Sequence, residues 1–127
     1  HGQTPVNDVY GYAVYTGKGT PQSVLPFEVM RNDIGVQAIR TKDKSIVQAV
    51  FYPGDAELKY KDLTLGVSAP CAVMIQKLGG KYRISVTDAT MNADLKSIIV
   101  TLNGKAYELS LPTGMHCGNT VTQDFDI

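Results

Sequence analysis

Few residues in this chain could carry chemistry. Its 127 residues include two histidines, His1 and His116, two cysteines, Cys71 and Cys117, and no tryptophan. An N-terminal histidine can offer both its amine and an imidazole nitrogen to one copper ion, and a second arm then closes a T-shaped brace. His116 or the thiolate of Cys117 would supply that arm, because imidazole and thiolate both suit copper. The opening has a second reading. The chain starts at His1-Gly2 with no initiator Met and no charged or apolar leader, as a processed mature protein does, and as a piece of a longer polypeptide does. In the second case His1 is a cut site and no brace exists. The second reading is adopted, with no metal and no cofactor expected.

No other constellation emerges. There is no nucleophile elbow, phosphate loop or metalloprotease helix. Asp43, Asp55, Asp62, Asp88 and Asp94 fall in turn-like stretches, which aspartate favours through its own hydrogen bonding to nearby backbone. Lys59, Lys61 and the Lys42/Lys44 pair read as solvated faces, with a patch for anionic sugars as the alternative. With no Trp, a sugar-stacking platform would have to come from Tyr15, Tyr52, Tyr60 or Tyr82, each of which also fits a core or cross-strand position. Cys71 and Cys117 are too few for a disulfide scaffold. They allow one long-range bridge, or a buried Cys71 and a free Cys117, which is the preferred reading.

The elements that would position these groups are strands. Tyr82, Ile84 and Val86 alternate with polar residues, as do Leu63, Leu65 and Val67, and Tyr107, Leu109 and Leu111. That period-two pattern puts one face in a core and the other in water. Gly79-Gly80 predicts a hairpin between strands at Val73–Leu78 and Tyr82–Thr87, and Asn103-Gly104 one between Ile98–Leu102 and Tyr107–Leu111. Thr41–Lys44 predicts a turn between Val36–Arg40 and Ile46–Tyr52. A first strand is expected around Tyr10, Tyr12 and Tyr15, with Tyr12 and Val14 in the core beside Ile84, Val86, Leu109 and Leu111. Thr20-Pro21 permits one helical turn over Pro21–Leu25, which Pro26 cuts short. The fold class is therefore all-β, an antiparallel β-sandwich with at most one short helix. Residues 1–127 are read as a single sandwich domain, with 1–9 a lead-in from a preceding domain and 113–127 an irregular tail in which Thr120–Ile127 forms an edge strand or stays loose.

Composition narrows the partners. Twelve acidic and twelve basic side chains cancel, leaving no global field for nucleic acid or an anionic membrane. No apolar run approaches membrane-spanning length.

Several motifs occur together in a recognisable order. His1-Gly2, Pro5 and Tyr10-Gly11-Tyr12-Ala13-Val14 come first, then Val36-Gln37-Ala38-Ile39. Ala69-Pro70-Cys71-Ala72-Val73-Met74 follows, then Gly79-Gly80 and Ile84-Ser85-Val86-Thr87-Asp88. This series resembles the C-terminal region of polysaccharide lyase family 8, the chondroitin, hyaluronate and xanthan lyases. Two departures stand out: Pro26 shortens the helix usual after the first strand, and Ala89 replaces the usual proline after the hairpin's aspartate. The resemblance implies a non-catalytic C-terminal β-sandwich domain of a secreted or periplasmic lyase that cleaves uronic-acid polysaccharides by β-elimination, chondroitin sulfate or hyaluronan foremost. Its implied partners are the central and catalytic domains, on which it packs beside the substrate cleft, and the polysaccharide itself. The Asn and His or Tyr of the family's catalytic machinery match no position here, so no catalytic residue is carried over. A free-standing carbohydrate-binding module is the rival. The copper reading is also backed by a resemblance, since copper-dependent polysaccharide oxidases open with His on a β-sandwich.

Overall fold

Short alternating segments, each with one apolar edge, can bury that edge only by pairing into sheets and stacking two sheets face to face. The computed structural model, which describes residues 6, 10–14, 16–20 and 24–127, has that arrangement. Ten strands run in order: β1 Phe27–Asn32, β2 Val36–Thr41, β3 Ile46–Phe51, β4 Glu57–Tyr60, β5 Leu63–Val67, β6 Cys71–Leu78, β7 Lys81–Thr87, β8 Ser97–Leu102, β9 Lys105–Ser110 and β10 Val121–Asp126. One sheet has the order β1-β2-β3-β6-β7-β10 and the other β4-β5-β8-β9. Every pairing is antiparallel. The chain changes sheets after β3, β5, β7 and β9, so neither sheet can form without stretches of chain that belong to the other.

The core lies between the inner faces. Val36, Ala38, Val47, Ala49, Phe51, Val73, Ile75, Ile84 and Val86 come from the larger sheet, and Leu58, Leu65, Val67, Ile98, Val100, Leu102, Tyr107 and Leu109 from the smaller. Phe125 of β10 tilts against Tyr107, with ring centroids 4.9 Å apart, and Tyr82 meets Tyr107 edge-on at 6.3 Å. These rings close the margin between β7, β9 and β10, a favourable geometry for aromatic quadrupoles. Asn103 and Gly104 both take positive φ, 49° and 84°, as a two-residue hairpin matched to strand twist requires.

Three sequence expectations are corrected and one open alternative is decided. Residues 10–14 pair with no strand, and Tyr12 and Val14 are 82% and 77% exposed instead of core. Their alternation is strand-like, but alternation alone assigns no pairing partner. Leu111 is only partly buried, because it lies past the last pair of the β8–β9 ladder. Of the two readings of the 113–127 tail, the structure shows the edge strand: after a single 3-10 turn at Gly114–His116, β10 pairs with β7 from Val121↔Val86 to Asp126↔Lys81. Val24 and Leu25 are not helical, and the rest of the expected turn, like Tyr15, lies outside the described residues.

Two strands went unexpected. In β1 the register shifts between Val29 and Arg31, and such a bulge breaks the two-residue period. In β4 three of four residues are polar or half-exposed and only Leu58 is buried.

Truncating Ile84 or Leu109 to Ala should lower the unfolding free energy by about 2–5 kcal/mol. Tyr12→Ala and Val14→Ala should change it by no more than about 0.5 kcal/mol. Urea titrations of the four variants give both comparisons directly.

Candidate functional site

An arginine breaks the apolar inner row of β2. Val36, Ala38 and Arg40 share one face by parity, and all three are buried. Arg40 is 3% exposed, so its charge must be matched locally. Its Nη2 and Nε donate to Glu28 Oε1 of β1 at 2.7 and 3.0 Å, and its Nη1 donates to Asp62 Oδ1 at 2.8 Å. Asp62 lies in the β4–β5 turn of the other sheet, so the guanidinium ties the two layers together. The carboxylates are also held from outside. Lys44 Nζ reaches Asp62 Oδ2 at 2.9 Å, and Lys61 Nζ reaches Glu28 Oε2 at 2.9 Å. The Tyr60 hydroxyl donates to Glu28 Oε2 at 3.3 Å, and the Tyr60 ring faces both the Lys61 ammonium and the Arg40 guanidinium.

Hydrogen bonds from Lys61 and then Arg40 hold the Glu28 carboxyl down at about 2, and those from Arg40 and Lys44 hold Asp62 well below the usual carboxylate range. Asp43 is drawn to about 2 by Thr41 and Ser45, whose groups it binds within its own turn. Asp33 is drawn to about 2 by Arg31 and by the backbone N–H groups of Val36 and Gly35. Burial raises Asp88, but hydrogen bonds from the Thr90 hydroxyl and the Asn92 and Thr90 amides outweigh it, and its carboxyl is lowered. A general acid needs the opposite shift. Every shifted carboxyl among the described residues is pinned in its charged form, which suits scaffolding.

Both cysteines are free thiols. Burial, and secondarily the Asp88 charge, pushes Cys71 up to about 12, which makes it a poor nucleophile. His116 is exposed on the 3-10 turn, and His1 lies outside the described residues, so the brace geometry is not defined. Among the described residues no cluster of three His, Cys, Asp or Glu side chains could hold a metal ion.

The candidate platform tyrosines separate. Tyr60 and Tyr82 are half-buried, the first in the ion cluster and the second in the aromatic margin. Tyr52 is 52% exposed and donates its hydroxyl to Gln37 Oε1 at 3.1 Å. It borders an open groove over the outer face of the six-stranded sheet. A cross-sheet row there reads Val29, Ile39, Gln48, Met74, Ser85, Thr122, and the next includes Gln37, Val50, Ala72 and Thr87. The face is apolar toward β1–β3 and hydroxyl-rich toward β10. Tyr10–Ala13 line one side of this groove, with the Tyr10 carbonyl accepting from Asn32 Nδ2 at 3.2 Å. Val29, Val50, Tyr52 and Ile34 leave a wide apolar strip in water.

The described residues thus form an antiparallel β-sandwich with an ion cluster between its layers and an exposed apolar face on the larger sheet. The model of the polysaccharide lyase family 8 C-terminal β-sandwich domain matches residues 28–97, more than half of the chain, and the chain belongs to that family. It is 30% identical over 93 residues to the chondroitinase-AC of Pedobacter heparinus, a match that covers 69% of this chain and 13% of that enzyme. A solved structure of chondroitinase AC lyase, described with its oligosaccharide complexes, superposes with a TM-score of 0.64 at 25% identity, covering 76% of this chain and 15% of that one. The family match begins inside β1, so the His1–Val14 motifs lie before it.

Sequence reasoning missed Glu28 and Arg40. The signal was present, since Arg40 stands at the inward parity set by Val36 and Ala38. The pH dependence follows from Glu28. Its folded value lies below its ordinary 4.5, so its stabilisation is complete above that value and is lost as pH falls toward 2. Urea midpoints should therefore drop across that window. Glu28→Gln should lower stability at neutral pH and flatten the acid slope, with the residual slope left to Asp33, Asp43, Asp62, Asp88 and Asp124, whose carboxyls are also lowered.

Proposed function

We propose that this chain is the non-catalytic C-terminal sandwich of a polysaccharide lyase that acts on uronic-acid chains by β-elimination, with chondroitin sulfate the foremost substrate and hyaluronan next. Residues 1–9 would lead in from the preceding domain, and the whole protein would work in the periplasm or outside the cell. The family membership supports a lyase parent, and the similarity to chondroitinase-AC favours chondroitin. The chain spans 13% of that relative, so most of the parent's machinery would lie elsewhere.

The observation that carries the scaffold role is the exposed apolar strip on the six-stranded sheet. Val29, Val50, Tyr52 and the 98%-exposed Ile34 stand together at its β1–β3 side. A contiguous apolar patch of this kind marks a surface that another protein body covers. The central domain is the occupant proposed here. A free-standing carbohydrate module is favoured only by Tyr52 beside Gln37, since Tyr60 and Tyr82 are engaged in the interior.

Alone, the chain should release no unsaturated uronate from chondroitin sulfate or hyaluronan, read by ultraviolet absorbance. Added to a parent-type lyase fragment that lacks this domain, it should associate, and Val29→Asp with Val50→Asp should weaken that association at least about tenfold, as charges in a buried apolar contact do. Turnover by the isolated chain, or unimpaired association of the double variant, would overturn the scaffold reading.

A further inference from the structure

The zero net charge conceals a segregation along the sandwich axis. Four hairpin turns meet at one end and bond to one another. The Lys77 amide donates to Ser45 O at 2.8 Å, joining the β2–β3 turn to the end of β6. The Thr64 amide donates to Asn103 Oδ1, and the Asn103 amide to Thr64 O, both at 2.8 Å, joining the β4–β5 and β8–β9 turns. Lys44 crosses to Asp62 between the sheets. Lys105 Nζ donates to Asp126 O at 3.0 Å, which brings the β8–β9 turn to the end of β10. The Ile127 amide donates to Gly80 O in the β6–β7 turn.

These turns carry most of the lysines. Beside the buried Arg40 stand Lys42, Lys44 and Lys61, then Lys77, Lys81 and Lys105 around the rim. The acids at this end are Glu28, Asp43, Asp62 and Asp126, a local excess of three positive charges. Asp43 is bound within its own turn, Glu28 and Asp62 are shared with Arg40, and Asp126 lies 3.8 Å from Lys81. Lys42 and Lys77 have no acidic partner among the described residues. Lys44, Lys77, Ser45 and Asn103 border a cleft of ≈ 230 Å³ that opens here between the sheets and is also lined by Arg40 and by Asp62, whose carboxylate is already held by Arg40 and Lys44. The opposite end reverses the sign, with Asp33, Asp55, Asp88, Asp94 and Glu108 against Arg31 and Lys96, while Lys59 and Glu57, level with residues 103 and 101 beside the β8–β9 turn, pair with each other and cancel.

We infer that this lysine-rimmed hairpin end is a contact surface for an acidic polysaccharide chain, with Lys42 and Lys77 as its free cations and the cleft mouth as the seat of one sulfate or carboxylate group. The argument is charge complementarity. A polyanionic chain presents carboxylate or sulfate at a regular spacing, and a rim of flexible ammonium groups accepts such charges without a rigid fit. The charge separation would also orient the domain, turning its acidic end away from the polymer. Because the ammonium groups are solvated, the contact is weak and strongly screened at physiological ionic strength, where the Debye length is about 8 Å. This inference rests on the reading of the chain as part of a lyase for acidic polysaccharides, and it deepens that reading by giving the domain a substrate-facing end.

The test is titration of the isotopically labelled 127-residue chain with a chondroitin sulfate oligosaccharide at low and physiological salt, followed by amide chemical shifts. The expected shifts fall on residues 41–46, 61–64, 77–81 and 103–105, and fade with salt. Lys42→Gln with Lys77→Gln should weaken binding roughly two- to thirtyfold, the range that two solvent-screened charge contacts span, while Lys96→Gln at the opposite end should leave it unchanged. Shifts confined to the outer face of the six-stranded sheet, or none at low salt, would overturn the inference. So would equal or stronger binding of a single-stranded DNA of the same charge at the same residues. None of these results touches the scaffold role, which the Val29/Val50 association experiment reads separately.

Discussion

The arrangement of the two sheets turns on one buried guanidinium. Hydrophobic burial drives the layers together, but it is non-directional, and apolar faces alone would tolerate sliding. Arg40 removes that freedom because its charge must be met by Glu28 from its own sheet and Asp62 from the other. Losing the guanidinium would cut the link between the layers and leave Glu28 and Asp62 to their outer partners, Lys61 and Lys44. Burying an ion pair adds little net stability over a well-packed apolar side chain, so the contribution of Arg40 lies in fixing one alignment of the layers.

That alignment has a consequence at the surface. Holding Asp62 against Arg40 sets the β4–β5 turn beside the β2–β3 turn, and the backbone bonds between Ser45 and Lys77 and between Thr64 and Asn103 extend the arrangement across the same end. Lysines that are scattered along the sequence are thereby gathered into one rim. Asp88, folding the loop after β7 through Thr90 and Asn92, does comparable local work at the other end, where acids predominate. The domain thus presents three distinct surfaces: a cationic end, an acidic end and an apolar flank on the six-stranded sheet. The two contacts proposed above, with a protein body and with a charged polymer, would fall on different ones of these surfaces.

The flank also accounts for the failure of the first predicted strand. Tyr10–Val14 has the alternation of a strand, yet alternation states only that a segment could pair. Pairing needs a backbone ladder, and residues 10–14 form no strand; the Tyr10 carbonyl accepts instead from the Asn32 side chain of the edge strand β1. The opposite error occurred at β1, whose bulge hides the period, and at β4, whose single inward leucine is too short a signal. The ion cluster was legible in part: parity placed Arg40 inward, but nothing in the spacing of Glu28 and Asp62, twelve residues before it and twenty-two after, named them as its partners.

By itself the sequence determined the fold class, the registers around Gly79-Gly80 and Asn103-Gly104, the burial of Ile84, Val86 and Leu109, and the family, because these depend on short-range periodicity, turn stereochemistry and ordered motifs. Only the tertiary structure decided which strands share a sheet, that residues 10–14 form no strand, that the end of the chain closes the large sheet as β10, and that a neutral chain has a charged axis. Those outcomes depend on contacts between residues far apart in sequence, where many pairings satisfy the same local pattern and the choice among them is made by packing and charge in three dimensions.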